Sequence, residues 1–345
     1  MKKILGILGL LIFICLATWI MADLSVSGWS PEDWRFIEPG NIQNIVRRTA
    51  LFGIISIGAA FVIITSGIDL SIGSVICLIG CLTPHLLVDY RLTVASVLLI
   101  ICAISLLVGL LHGLLVTKLK LQPFIVTLCG LLIYRGATRG FVRDQTQGFK
   151  GGFEQLRAFQ QGEIAIPGTE FGIPNSCLIL LVVALLSAFF LNYTVYGRYL
   201  FALGRNENAA KYSGINTDRM TILAYVICGF LSGLGGLLFV LDVGSAQPVD
   251  FGNFYELYAI AAAVLGGCSL RGGEGAIIGV VIGTAVIQVL RNSINLIDAI
   301  PTNIEFAVIG VVIIGGVITD ELVKRMNAKR LAANRLKNAD RKNTA

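Results

Sequence analysis

Apolar positions in this chain neither alternate as on a half-buried strand nor recur on one helical face. They come in long runs separated by short polar breaks, at about residues 4–22, 46–66, 72–88, 94–117, 123–141, 173–191, 219–241, 255–270, 274–291 and 301–322. A helix crossing the hydrocarbon of a bilayer needs about 20 such residues, and the runs cluster near that length. The pattern predicts an all-α integral membrane protein, a bundle of about ten transmembrane helices.

The polar segments between the runs divide the chain. Residues 1–22 form the first membrane helix. Residues 23–45 hold Trp29, Pro31, Trp34 and Pro39 and suit an extracytoplasmic interfacial segment. Residues 46–322 make the main transmembrane domain, and 323–345 a basic tail. The longest loop runs from Arg143 to Gly172 and is glycine-rich. The segment 192–218 carries Arg198, Arg205 and Lys211, with Arg219 at its edge, and reads as cytoplasmic and partly helical. The sequence Ile20-Met21-Ala22 resembles a cleavage site, but the run before it exceeds the about 7–15 residues of a signal-peptide core, so a retained helix is expected.

Composition supports the same class. Hydrophobic residues make up 55% of the 345 and charged residues 14%, against about a quarter charged in soluble domains; mean hydropathy is +0.81. The net charge of +6 is no mark of nucleic-acid binding, because the tail's cations (Lys324, Arg325, Lys329, Arg330, Arg335, Lys337, Arg341, Lys342) have no aromatic residues among them. With both termini placed inside, 17 of the 27 Lys and Arg residues fall on cytoplasmic segments, as the positive-inside rule requires. Cleavage of the first helix would leave the C-terminus on the same side.

Two polar interruptions predict irregular backbone. One is Gly67-Ile68-Asp69-Leu70-Ser71-Ile72-Gly73-Ser74; the other runs from Gly266-Gly267 through Arg271-Gly272-Gly273-Glu274-Gly275. Non-helical backbone at membrane depth must be sheltered by protein or water. Asp69 also suits an N-cap of the following helix. Both breaks are expected near the cytoplasmic side. Glycine stripes at Gly229, Gly233, Gly235 and Gly236, and at Gly275, Gly279 and Gly283, predict close helix packing.

Catalytic and metal chemistry is absent from the pattern. The eight cysteines form no C-x-x-C, Cys77 and Cys81 share a helix face, and only His85 and His112 are available as imidazoles, so no metal or cofactor is expected. No phosphate-binding G-x-x-x-x-G-K-[ST] loop, G-x-S-x-G or H-E-x-x-H occurs. The ionisable residues in or near spans are His112, Asp242, Glu256, Arg291 and Glu305, mostly near ends, which argues against an ion-coupled carrier.

Four segments resemble the ribose-type permeases of bacterial ATP-binding-cassette importers: Thr65–Ser74, Leu121-Gln122-Pro123-Phe124-Ile125-Val126-Thr127-Leu128, Gly197–Ile215, and Tyr255-Glu256-Leu257-Tyr258 through Gly267. Their order matches over about residues 40–322. The resemblance implies a non-catalytic permease dimer, homomeric or heteromeric, in the inner membrane. Its partners would be a cytoplasmic ATPase and an extracytoplasmic solute-binding protein. It further implies that Gly197–Ile215 is the coupling helix, matched through Gly197, Arg198, Ala202, Gly204, Asn206, Ala209, Ala210, Ser213 and Gly214. Tyr258, Cys268 and the Arg271–Gly275 run depart from the family pattern. Path residues are expected at the breaks, at Gly67, Asp69, Ser71, Gly73, Ser74, Gln122, Glu256, Gly266 and Gly267. The related branched-chain amino acid permeases, an ion-coupled carrier, and a membrane scaffold without transport are the competing readings. Which sugar is carried is not encoded in these motifs.

Overall fold

The computed structural model describes residues 2–24, 34–165, 167–168, 171–297, 301–315 and 318. Trp29, Pro31 and the basic tail lie outside these residues. The described chain is mostly helical, and eight of its helices are long and apolar enough to cross a membrane. Helices α1 (Lys2–Trp19, continued by a π turn Ile20–Leu24), α2 (Pro39–Ile64), α3 (Ile72–Pro84, continued by a π turn His85–Asp89), α4 (Val94–Lys118) and α5 (Pro123–Val142) form the first half. The long loop then holds α6 (Glu154–Gln161) between strands β1 (Gln147–Gly148) and β2 (Glu163–Ala165), with β3 (Gly172–Pro174) following. Helices α7 (Asn175–Tyr193), α8 (Val195–Arg205), α9 (Glu207–Tyr212) and α10 (Thr217–Val243) come next. Strand β4 (Ser245–Ala246), α11 (Tyr255–Leu265), α12 (Ile277–Leu296) and α13 (Glu305–Gly315) complete the order.

Among the described residues two apolar helices, α11 and α13, are shorter than a full crossing. The second helix starts at Pro39, with proline in its first turn where the missing amide costs nothing, rather than at the expected residue 46. The π turn after Pro84 follows from that proline's place inside α3, where it removes a helical donor.

Helix α10 is the axis of the bundle. A side-chain carbon added at Gly229 or Gly233 would meet Ser105 on α4, one at Gly235 would meet Ile55 on α2, and one at Gly236 would meet Ile76 on α3. Four glycines thus let three neighbours approach one helix, the close packing that membrane bundles rely on in place of a hydrophobic driving force. The second stripe acts the same way: Gly279 and Gly283 on α12 lie against Gly266 and Ala262 at the end of α11. Helices α2 and α10 are mostly buried, whereas α4 and α7 keep long apolar faces exposed, among them Leu99, Leu107, Leu185 and Leu186. Exposed leucine rows on a helix already packed on its other side suit contact with lipid.

The long loop is tied down at several points. β1 pairs antiparallel with β4 and β2 with β3. Lys150 pairs with Asp89 at 2.8 Å, and Arg47 with Glu163 at 2.7 Å. At the loop's start Arg139 hydrogen-bonds Asp144 through both carboxylate oxygens, which holds the Asp144 carboxyl below its ordinary range.

Gly109 on α4 lies against the α10 backbone at Tyr225 and Val226. Gly109→Ala is expected to lower the thermal unfolding midpoint in detergent, at a cost of about 1–3 kcal/mol from overpacking. Gly136→Ala, with nothing within 4 Å of the added carbon, should leave the midpoint unchanged or raise it; differential scanning fluorimetry reads both.

Candidate functional site

Three stretches of backbone leave helical geometry inside the bundle: 65–71, 244–254 and 266–276, the last being the second interruption expected from the sequence. The first follows α2. Thr65 and Gly67 amides return to the Val62 carbonyl and close that helix, and residues 65–71 then lead to the start of α3 at Ile72. Asp69, 4% exposed, organises the stretch: its Oδ1 accepts the Ser71 amide at 2.8 Å and the Ser71 hydroxyl at 2.6 Å. It therefore makes an Asx turn ahead of the helix, while Ser71 holds the N-cap position. Ser74 bonds back to the Ser71 carbonyl at 2.7 Å. The Tyr225 hydroxyl on α10 donates to the Ile68 carbonyl at 3.2 Å.

The second stretch, 244–254, was not flagged by the sequence pattern. It turns back from the end of α10 at Gly244 and runs alongside α3. The Cys81 thiol faces the Ala246 carbonyl at 3.7 Å and the Cys77 thiol faces the Pro248 carbonyl at 3.4 Å. Arg135 on α5 donates to the carbonyls of Pro248, Val249 and Phe251, each at 3.1 Å. The cysteines read as small buried hydrophobes therefore also supply weak donors. Arg135, counted in the sequence as a charge near the loop, reaches across to hold the bend.

The two stretches meet where the short helices begin. Gly252, at φ +76°, brings its backbone onto Gly73, and a side-chain carbon at either residue would collide with the other's carbonyl. Glu256, in the first turn of α11 and 6% exposed, reaches the Gly73 amide at the start of α3. One carboxylate thus serves two helix N-termini, the ends that carry partial positive charge. Of the expected path residues, Asp69, Ser71, Gly73, Ser74 and Glu256 gather at this junction. Gly266 and Gly267 lie at the opposite end of α11, about 15 Å along the axis at 1.5 Å per residue. There Gly266 packs on α12, and Gly267, at φ +91°, turns the chain.

Gly67 and Gln122 line a cleft of about 550 Å³ at the end of the bundle, together with Thr65, Ser66, Thr117, Asn206, Tyr225 and Arg271. Asp218 at its edge pairs with Lys118 at 2.8 Å and Lys120 at 3.3 Å. The wall opposite is formed by residues 203–207 of the segment 195–214. Thr194 caps α8 by accepting the Gly197 amide at 3.1 Å, and Asn206 caps α9 by accepting the Ala209 amide at 2.9 Å. Ser213 closes α9 onto the Ala209 carbonyl, and Gly214 takes φ +83° for the turn into α10. Gly197, Leu200, Leu203, Gly204 and Ala210 form the buried face, while Arg198, Asn206, Ala209, Ser213 and Gly214 are exposed and Ala202 is half-buried.

Gly204 joins this segment to the first break. A side-chain carbon there would collide with the Ile64 carbonyl and the Gly273 amide. The Ser66 hydroxyl lies 3.1 Å from the Gly204 carbonyl and 2.9 Å from that of Arg271, and the Gly273 amide donates to Ile64 at 2.8 Å. The end of α2, the end of α8 and the loop before α12 are thereby knotted together. Among the described residues no group of three or more His, Cys, Asp or Glu side chains is placed to hold a metal.

Residues 41–317 match the family described as branched-chain amino acid transport system / permease component. The chain belongs to this family. The ribose import permease protein RbsC of Haemophilus influenzae is 38% identical over 265 residues, covering 76% of this chain and 80% of that protein. The RbsC of Escherichia coli K12 is 37% identical over 298 residues, covering 86% and 89%. The xylose transport system permease protein XylH of Escherichia coli K12 is 29% identical over 371 residues, covering 92% and 93%. No solved structure matches. Family membership makes the chain a multi-pass membrane permease component that works with an ATPase and a solute-binding protein.

Arg135→Ala is expected to strip three carbonyls of their charged donor and to cost about 3 kcal/mol, with Cys77 and Cys81 becoming reactive toward maleimide. Arg135→Lys should restore only part of this, because one ammonium cannot span the three carbonyls. Thermal unfolding and thiol labelling read the two variants.

Proposed function

We propose that this chain is the membrane-spanning subunit of an ATP-driven importer that moves a monosaccharide, ribose or a similar sugar, across the inner membrane. The observation that carries the mechanism is the knot of Gly204, Ser66, Ile64 and Gly273. It connects an exposed helical segment to the backbone break directly. The identity of 37% and 38% to ribose permeases over most of the chain supports the solute class.

In this reading the eight long helices and the two short ones, α11 and α13, make ten crossings, with the breaks 65–71 and 244–254 completing the crossings of α3 and α11. Both termini are cytoplasmic, the long loop 143–172 faces outward toward the binding protein, and α8–α9 is the coupling segment. The permease pairs with a second copy or a related chain. It has no catalytic residues of its own, and ATP is hydrolysed on the separate subunit. Closure of the ATPase displaces α8–α9, the knot passes the displacement to 65–71, and the junction of Gly73, Gly252 and Glu256 changes between two arrangements. The sugar follows as a population shift between inward and outward states rather than by bond chemistry.

The test is reconstitution with the partner ATPase and binding protein in liposomes against a panel of sugars and branched-chain amino acids. Ribose or another monosaccharide should stimulate ATP hydrolysis. Arg198→Glu and Gly204→Pro should abolish the stimulation while the chain still inserts. Stimulation by leucine alone would reassign the solute, and normal transport by both variants would remove α8–α9 from the coupling path.

A further inference from the structure

Helix α12 carries one charged residue, Arg291, within its last two turns. Ionisable side chains in a spanning helix are costly, and they mark a partner or a solute path. The partner here is Glu305, the first residue of α13: Arg291 Nε donates to Glu305 Oε1 at 2.6 Å. The Tyr258 hydroxyl, from α11, donates to the same oxygen at 3.1 Å. The guanidinium lies 4.8 Å from the centroid of the Tyr258 ring and 5.8 Å from that of Phe52 on α2. Phe306, next to Glu305, stacks beside Tyr258 with centroids 6.2 Å apart and is itself 57% exposed. Four helices thus converge on one ion pair.

The pair leaves most of its bonding capacity open. Arginine has five N–H donors, and one of them meets Glu305. Among the described residues neither terminal nitrogen of Arg291 nor Oε2 of Glu305 has a hydrogen-bond partner. The two side chains stay 24% and 18% exposed, so a small molecule can reach them. A bidentate pair closes both forks; this one is closed along a single edge and sets a row of donors beside an acceptor. A hydroxyl both donates and accepts, so two adjacent hydroxyls of a sugar ring complete that row. The open face of Phe306 is the negative side of its quadrupole and suits the weakly positive C–H face of the same ring. Glu305 cancels the charge of Arg291, which makes the site neutral and unsuited to a sugar acid.

We propose that Arg291, Glu305 and Phe306 form a subsite of the permease that binds two adjacent hydroxyls and one ring face of an uncharged monosaccharide. The proposal rests on the sugar-importer reading above and names the part of the chain that meets the solute. Helix α11 joins this subsite to the breaks: Tyr258 braces the ion pair, and Glu256, two residues earlier, reaches the Gly73 amide. Solute and break therefore bear on one short helix.

The test carries the permease–ATPase complex in nanodiscs without the binding protein and titrates D-ribose, D-xylose, D-ribonate and L-leucine by saturation-transfer NMR. Arg291→Gln combined with Glu305→Gln keeps an amide pair and leaves no unpaired charge. It should weaken binding of the sugars about tenfold, the loss expected for hydrogen bonds to charged groups. Glu305→Gln by itself leaves Arg291 uncompensated and should raise the affinity for D-ribonate about tenfold while lowering that for ribose, a reversal that damaged packing does not produce. A double variant that inserts and binds the sugars as the wild type does overturns the proposal, as does L-leucine binding more tightly than either sugar. If the double variant fails to insert, Phe306→Leu, which should weaken sugar binding severalfold, and Glu305→Gln decide by the same criteria. Sugar-stimulated ATP hydrolysis with the binding protein added is read on the same preparations. Stimulation without sugar binding to the wild-type nanodiscs overturns the subsite and leaves the importer reading standing, whereas no stimulation by any sugar overturns that reading itself.

Discussion

Backbone that leaves a helix inside an apolar bundle must find partners for its amides and carbonyls within the protein, because no solvent is there to supply them. The rest of this structure follows from how that demand is met. Segment 65–71 is served by Asp69 and Tyr225, and segment 244–254 by Arg135, Cys77 and Cys81. Glu256 closes the account where the two segments touch. These groups come from α3, α5, α10 and α11 as well as from the first break itself, so the breaks also fix how those helices stand against one another.

The breaks are consequently cheap to keep and easy to bias. A continuous helix has one hydrogen-bonding pattern, whereas a bend held by side chains from several helices can exchange partners without exposing a bare carbonyl. Bistable elements of this kind are where small displacements become large ones. Glycine makes the exchange sterically feasible: Gly73 and Gly252 admit contact of two backbones, and Gly204 admits contact of the exposed helical segment with the end of α2.

Much of this was legible in the residues. Long apolar runs mark the helices because a bilayer imposes their length, and Gly67, Asp69 and Ser71 mark the first break because their turn chemistry is local. Asn206 and Gly214 likewise announce a cap and a turn where the structure has them. What stayed hidden depends on contacts between distant positions. Ser245-Ala246-Gln247-Pro248 reads as an ordinary loop, and only the thiols and guanidinium that meet it from α3 and α5 reveal a re-entrant bend. Arg135 looks like a flanking cation and Arg291 like a residue near a helix end, since neither position betrays which way the helix is turned. Gly266 and Gly267 do open a non-helical stretch, as their composition announces, but the packing of Gly266 on Gly279 and Val280 of α12 could not be read from it.

The small strand pair between Gln147–Gly148 and Ser245–Ala246 has a mechanical meaning. It stitches the 30-odd-residue loop to the very bend that Arg135 clasps. Any body that leans on that loop therefore tugs, through a seam two residues wide, on the bundle's interior hinge, so the surface and the centre answer to one lever.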